Sequence, residues 1–185
     1  YQDTTLDVQG AVRLAADRVH RGDFTGWLVL GAIIRDVRPR VLAAARHQHA
    51  NYLVQAIVDL LPPSATTFVA EDLKGSAVMF AKSKIGCRTL QRVLLRQLPS
   101  AEFGAPAREL VEELLATPNQ TRSLCHHQYG NFVMVCLLEI GTAAHRVTIR
   151  NALWGDSGDG RQLRKHACEK HTSRVLEALL LAEGH

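Results

Sequence analysis

The sequence predicts an all-α protein built as a solenoid of stacked helical repeats, and three observations carry that prediction. First, Lys84 to Leu95 reads as a two-faced helix: Cys87, Arg88 and Gln91 at i, i+1 and i+4 share a polar face, while Leu90, Val93 and Leu94 at i+3, i+6 and i+7 form an aliphatic stripe. Second, the pattern recurs from Asn51, Asn131 and Ser173. Position i+3 is then Val54, Leu90, Met134 or Leu176, position i+6 Ile57, Val93, Leu137 or Leu179, and position i+7 Val58, Leu94, Leu138 or Leu180. Third, the 185 residues are 46% hydrophobic but only 5% aromatic, which is the Leu, Val, Ala and Ile core of packed helices rather than of sheets.

A fifth copy lies near the start of the chain, with Thr5, Leu6 and Gln9 in the polar positions and Val8, Ala11 and Val12 in the apolar ones. The copies begin 46, 36, 44 and 42 residues apart, a unit near 36 with insertions. A small residue precedes each: Thr4, Ala50, Gly86, Gly130 and Thr172. The expected repeats are 1–26, 27–63, 64–99, 100–141 and 142–185.

In chain order, residues 4–19 read as a helix closed by His20-Arg21-Gly22-Asp23. Trp27 to Arg35 and Val37 to Arg46 read as two more, Pro39 being tolerable in a first turn. Asn51 to Leu61 is stopped by Pro62-Pro63, and Thr67 to Lys74 and Ser76 to Lys82 follow, parted by Gly75. After the central helix, Pro99 to Gly104 is a loop; Pro106 opens a helix to Ala116, with Leu110, Val111, Leu114 and Leu115 inward. Thr117-Pro118-Asn119 ends it, and a short helix from Thr121 leads to the helix at 131–140, with Gly141 placed for a C-cap. Thr142 to Leu153 is helical in pattern, and Trp154 to Gly160 is a loop before the last helix.

Twenty-two Lys and Arg against 18 Asp and Glu give a net charge of +4, a mild bias towards polyanions. At 22% charged residues the chain is not of the disordered class. Cys87, Cys125, Cys136 and Cys168 form no CxxC pair, which fits a reduced compartment, taken as cytoplasmic. No apolar run is long enough for a membrane span. Cys125, His126 and His127 are adjacent, and His166, Cys168 and His171 are close, but adjacent side chains on a helix do not converge on one ion, so no metal is expected. Gly155 to Gly160 lacks calcium-loop and P-loop patterns, and no nucleophile–base or paired-carboxylate arrangement stands out, so neither cofactor nor enzymatic activity is expected.

The segments Ala50-Asn51-Tyr52-Leu53-Val54-Gln55, Gly86-Cys87-Arg88-Thr89-Leu90-Gln91, Tyr129-Gly130-Asn131-Phe132-Val133 and Thr172-Ser173-Arg174-Val175-Leu176-Glu177 closely resemble the reader helices of Pumilio-type (PUF) repeats. The resemblance implies a right-handed α-solenoid of three-helix repeats whose concave face binds single-stranded RNA, one base per repeat. On it, Asn51 with Gln55 resembles a uracil reader with Tyr52 stacking, and Cys87 with Gln91 an adenine reader with Arg88 stacking. Ser173 with Glu177 resembles a guanine reader with Arg174 stacking, and Thr5 with Gln9 an adenine-like pair. Asn131 and Phe132 match the motif, but Val135 stands where Gln is expected, and an isopropyl group cannot hydrogen-bond a base. Because the family runs RNA antiparallel to the protein, the triplets spell 5′-G-N-A-U-A-3′, like the third to seventh of eight repeats. The resemblance further implies post-transcriptional and translational regulation of messages through 3′ untranslated regions. It also implies a monomeric array within a longer chain, with its convex face left for protein partners. The alternative is a degenerate solenoid of the same shape, acting as a structural or assembly protein or as a non-specific RNA binder.

Overall fold

The computed structural model describes residues 2–154, 164 and 166–183. Helices α1 (Gln2–His20), α2 (Thr25–Val37) and α3 (Val41–Arg46) are followed by α4 (Asn51–Leu60), α5 (Pro63–Leu73) and α6 (Ala77–Ala81). Then come α7 (Gly86–Gln97), α8 (Ala105–Leu114), α9 (Pro118–His126), α10 (Gly130–Ile140), α11 (Ala143–Trp154) and α12 (Thr172–Glu183). Among the described residues every regular element is helical, as the sequence predicts.

The five helices that carry the repeated pattern, α1, α4, α7, α10 and α12, pack each against the next in that order. A second row lies behind them, α5 on α8 and α9 on α11. The aliphatic stripe explains the order. Val54, Leu90, Met134 and Leu176 at i+3 are buried, as are Ile57, Val93, Leu137 and Leu179 at i+6. At i+7, Val58, Leu94 and Leu138 are fully buried, whereas Leu180 on α12 is 66% exposed. The same residue type in the same register is dry where another repeating helix follows and wet on α12, so burial at i+7 comes from the neighbouring repeat. Each such aliphatic side chain contributes on the order of 1.5–3 kcal/mol when fully buried, which makes this stripe the main adhesive of the stack.

Small residues before the pattern let the preceding short helix cross closely. A Cβ on Gly86 would come within 2.8 Å of the Phe80 ring, and one on Gly130 within 2.8 Å of the Leu124 carbonyl oxygen. Polar links join successive repeats: both Glu113 carboxylate oxygens accept backbone N–H groups, from Gly75 and Ala77, at 2.8 Å. Arg122 Nε donates to the Ala152 carbonyl at 2.7 Å, while inside the repeat at 64–99 Gln97 Nε2 donates to the Thr66 carbonyl at 2.9 Å in the core.

Several boundaries differ from the sequence expectation, mostly at prolines. α2 runs on through Val37, and Pro39 sits in a 3₁₀ turn, Arg38–Arg40, where its missing N–H costs nothing. Pro63 and Pro118 open helices rather than closing them, so α5 starts four residues before Thr67 and α9 three before Thr121; at N1 the ring's fixed φ is already helical. Gly141 ends α10 with φ −77°, not in the left-handed region. Glycine is required there for room, since a Cβ would lie 2.3 Å from the Leu137 carbonyl oxygen. The expected loop at 154–160 lies outside the described residues apart from Trp154, which ends α11.

The stack makes adjacent leucines unequal. Leu94 is fully buried and Leu95 is 43% exposed. Leu94→Ala should destabilise the fold by about 2–5 kcal/mol and Leu95→Ala by less than about 1 kcal/mol, read by urea unfolding. Equal losses would mean that α7 is rotated from the orientation described.

Candidate nucleic-acid interface

Each repeating helix from α4 onward is entered through one recurring turn. The backbone N–H of residue i donates to the carbonyl four residues earlier: Asn51 to His47 at 3.1 Å, Cys87 to Ser83 at 3.0 Å, Asn131 to His127 at 3.1 Å and Ser173 to Glu169 at 3.0 Å. The side chain at i−4 then takes a donor at the helix entry. His47 Nδ1 accepts from His49 and Ala50 N–H, each at 3.3 Å, and His127 Nδ1 from Tyr129 and Gly130 N–H at 3.2 and 3.3 Å. Ser83 Oγ accepts from Gly86 N–H at 3.1 Å, and Glu169 Oε2 from the Thr172 hydroxyl at 3.2 Å. His47, His127 and Ser83 satisfy backbone donors that a helix start leaves open, and Glu169 holds a side-chain hydroxyl there instead. Burial, helped by Lys82 and His171, holds the His127 pKa below its ordinary value, which keeps Nδ1 an acceptor. Sequence reasoning missed these four residues. Their signal is an acceptor recurring four places before each polar triplet.

The turn sets the first polar position deep in the surface. Asn51, Cys87 and Asn131 are at most 4% exposed, so they form a floor rather than a projecting edge. Asn51 Nδ2 donates to the His47 and Gln48 carbonyls at 2.7 and 2.9 Å, and Asn131 Nδ2 to the His127 carbonyl at 2.8 Å. Position i+4 is then oriented by what the floor offers. Gln55 Nε2 donates to Asn51 Oδ1 at 2.7 Å, whereas Gln91 Nε2, lacking a side-chain oxygen beneath it, donates to the Cys87 carbonyl at 3.1 Å. Val135 supplies no such donor, and Asn131 Oδ1 is buried without a hydrogen-bond partner. Burial raises the Cys87 pKa despite Arg88, so it stays a neutral thiol, whose Sγ lies 3.5 Å from the Lys84 carbonyl.

Position i+1 projects furthest. Tyr52 is 57% exposed, and Arg88 and Arg174 are exposed beside half-buried Phe132. The Arg88 and Arg174 guanidinium carbons lie 5.5 and 5.4 Å from the Phe132 ring centre, so three successive repeats contribute one Arg–Phe–Arg ladder. Asn51, Tyr52, Gln55, Cys87, Arg88 and Phe132 line one groove of about 510 Å³, together with Gln48, Lys84, Arg92 and Tyr129. Gln91 is half-buried beside it. Ser173 and Glu177 instead line a shallow cleft with Leu176, Leu180 and Leu181, and Arg174 between them reaches the Phe132 ring. Gln9 is half-buried on α1; the side chains of Thr5 and Leu6 lie outside the described residues.

The groove has a positive rim of Lys84, Arg88 and Arg92. Arg92 is also committed to the protein, paired with Asp59 at 2.6 Å across the α4–α7 junction. Among the described residues no helix is long and apolar enough to cross a membrane. A floor of buried amides and a thiol, a movable amide above it and flat stacking groups between repeats can together take planar bases edge-on and face-on.

Comparison with known proteins identifies the repeat and the fold. A profile described as the Pumilio-family RNA binding repeat matches residues 40–71, 76–96 and 120–153. A protein of Arabidopsis thaliana named pumilio homolog 7, chloroplastic, is 27% identical over 106 residues, which are 57% of this chain and 15% of that protein. In fold, the chain superposes on the RNA-binding domain of yeast Puf5p bound to AAT2 RNA with a TM-score of 0.77 at 17% identity, covering 98% of this chain and 46% of that one. It superposes on the Puf4 RNA binding domain bound to an HO endonuclease 3′ UTR recognition sequence with a TM-score of 0.66 at 20% identity, covering 86% and 46%. The chain thus spans about half the length of these solved domains. With the repeating turn, the stacked helices and the matched profile all in register, the chain belongs to the Pumilio (PUF) family of RNA-binding repeat proteins, a non-enzymatic family.

Proposed function

We propose that this array binds single-stranded RNA selectively, one base per repeat, with 5′-G-N-A-U-A-3′ as the preferred core and message control as its role. The observation that carries this reading is the shared groove, in which the whole α4 triplet meets Cys87 and Arg88 of α7 and Phe132 of α10. Thr5 with Gln9, Asn51 with Gln55, Cys87 with Gln91 and Ser173 with Glu177 address the four specified bases. Tyr52, Arg88, Phe132 and Arg174 stack between them. Because Asn51 and Cys87 are buried, the i+4 amide makes the outer contact there and the i residue fixes its orientation.

The ladder must open to admit bases. A base about 3.4 Å thick needs about 6.8 Å between its two stacking partners, against the 5.4–5.5 Å of the free ladder. Opening gives up roughly 0.5–1 kcal/mol per exposed cation–π contact, and stacking returns on the order of 1–3 kcal/mol per base. RNA therefore wins each gap. Cytoplasmic messages fit this role, and the chloroplast-named relative makes organellar transcripts the competing pool, which fractionation with bound-RNA sequencing separates.

The second reading is a non-selective RNA binder or assembly scaffold, favoured by Val135 and by the buried floor. Fluorescence anisotropy with GUAUA-containing and scrambled RNA decides between them. Selective reading predicts that Gln91→Ala and Glu177→Gln weaken binding and relax the base preference at one position each, and that Phe132→Ala costs about 1–3 kcal/mol for every sequence. Equal affinity for scrambled RNA overturns selective reading.

Asn131 gives a sharper test. Val135→Gln places an amide donor over the orphaned Asn131 Oδ1, as Gln55 does over Asn51. Binding of RNA with uracil at N should strengthen relative to the other three bases. An unchanged ranking would remove the floor-and-amide mechanism.

A further inference from the structure

We propose that His126, His166 and Glu169 form a binding site for a divalent transition-metal ion of the zinc class, at the junction between α9 and the turn that leads into α12. The inference is independent of RNA reading. One donor atom from each of the three residues falls within 4.8 Å of the other two. His126 Nδ1 is paired with Glu169 Oε2, and His166 Nδ1 lies 3.9 Å from the same oxygen. The two imidazole rings stand 4.9 Å apart, centre to centre.

His166 supplies the second, independent sign. It is 5% exposed, yet neither ring nitrogen completes a hydrogen bond of normal geometry. A buried imidazole normally has a partner, and leaving one unpaired costs about 1–3 kcal/mol. The Leu153 carbonyl approaches the ring without completing such a hydrogen bond. Leu153 would then act as the backbone acceptor that commonly orients a metal-bound histidine.

Two imidazoles and one carboxylate, with a fourth position open, are a standard donor set for zinc. Bond lengths near 2.1 Å place tetrahedral donors about 3.4 Å apart, so the widest pair needs to close by up to about 1.4 Å and the His126–Glu169 pair to open. Glu169 and His126 are partly exposed and have the freedom to move, while His166 is held. Thr172 Oγ1, 2.7 Å from His126 Nδ1 and 3.2 Å from Glu169 Oε2, buttresses the carboxylate. Arg122 is the nearby cation that opposes an ion; its Nε is spent on the Ala152 carbonyl. The sequence hides the site because its ligands come from two repeats, and the neighbours that look like ligands, Cys125 and His127, are respectively buried elsewhere and committed to the α10 turn.

The test is titration of metal-stripped protein with Co²⁺, followed by Zn²⁺ displacement. The expected result is one equivalent of Co²⁺ with the intense visible absorption of a tetrahedral site, bleached by Zn²⁺, and a higher Tm with either ion. His166→Ala and Glu169→Gln should each weaken binding by at least about tenfold, while Cys168→Ser and His171→Ala leave it unchanged. If His166→Ala does not fold, Glu169→Gln, at a partly exposed position, still decides the matter. No tetrahedral Co²⁺ spectrum, or binding that survives Glu169→Gln or is lost in Cys168→Ser, overturns the proposal.

Discussion

Burial of the i+3, i+6 and i+7 side chains between successive repeating helices is the constraint on which everything else rests. It fixes the rotation of α4, α7, α10 and α12 about their own axes, and rotation decides which residues face the groove. A turn of 100° would bring Leu90 or Val93 to the surface and bury Arg88. Against several side chains at roughly 1.5–3 kcal/mol each, the exposed Arg92–Asp59 and Lys74–Glu109 pairs, worth about 0–1 kcal/mol, refine the stack without setting it.

The groove is a consequence of that rotation and of the turn before each helix. The acceptor at i−4 holds the first residue of the triplet so low that its polar atoms are shared with backbone before any ligand arrives. On the proposed reading, selectivity comes from presetting the next residue. Asn51 aims Gln55 one way, Cys87 leaves Gln91 to find its own carbonyl, and Val135 leaves Asn131 unanswered. The three repeats share a plan and differ at one hydrogen bond each, which is the scale on which one base is told from another.

The repeating helices were legible because their aliphatic spacing is periodic and sits in the chain itself. Proline was misread at Pro63 and Pro118 because the same missing N–H that ends a helix also suits a first turn. The triplets were legible as positions, but not in their depth: nothing in a polar Asn at i announces that its amide is spent on i−4. The Arg88–Phe132–Arg174 ladder and the His126–His166–Glu169 cluster join residues about forty positions apart, and only the superposition of repeats brings them together.

The central claim is that the residue at i sets the base by orienting the amide at i+4, one repeat at a time. Cys87→Asn tests it most directly, because it gives Gln91 the side-chain oxygen that Gln55 already has. Selection from randomised RNA should then show the preference at the third base of the core moving from adenine to uracil, with the other positions unchanged. A preference that stays with adenine, or that shifts at several positions together, would contradict the account.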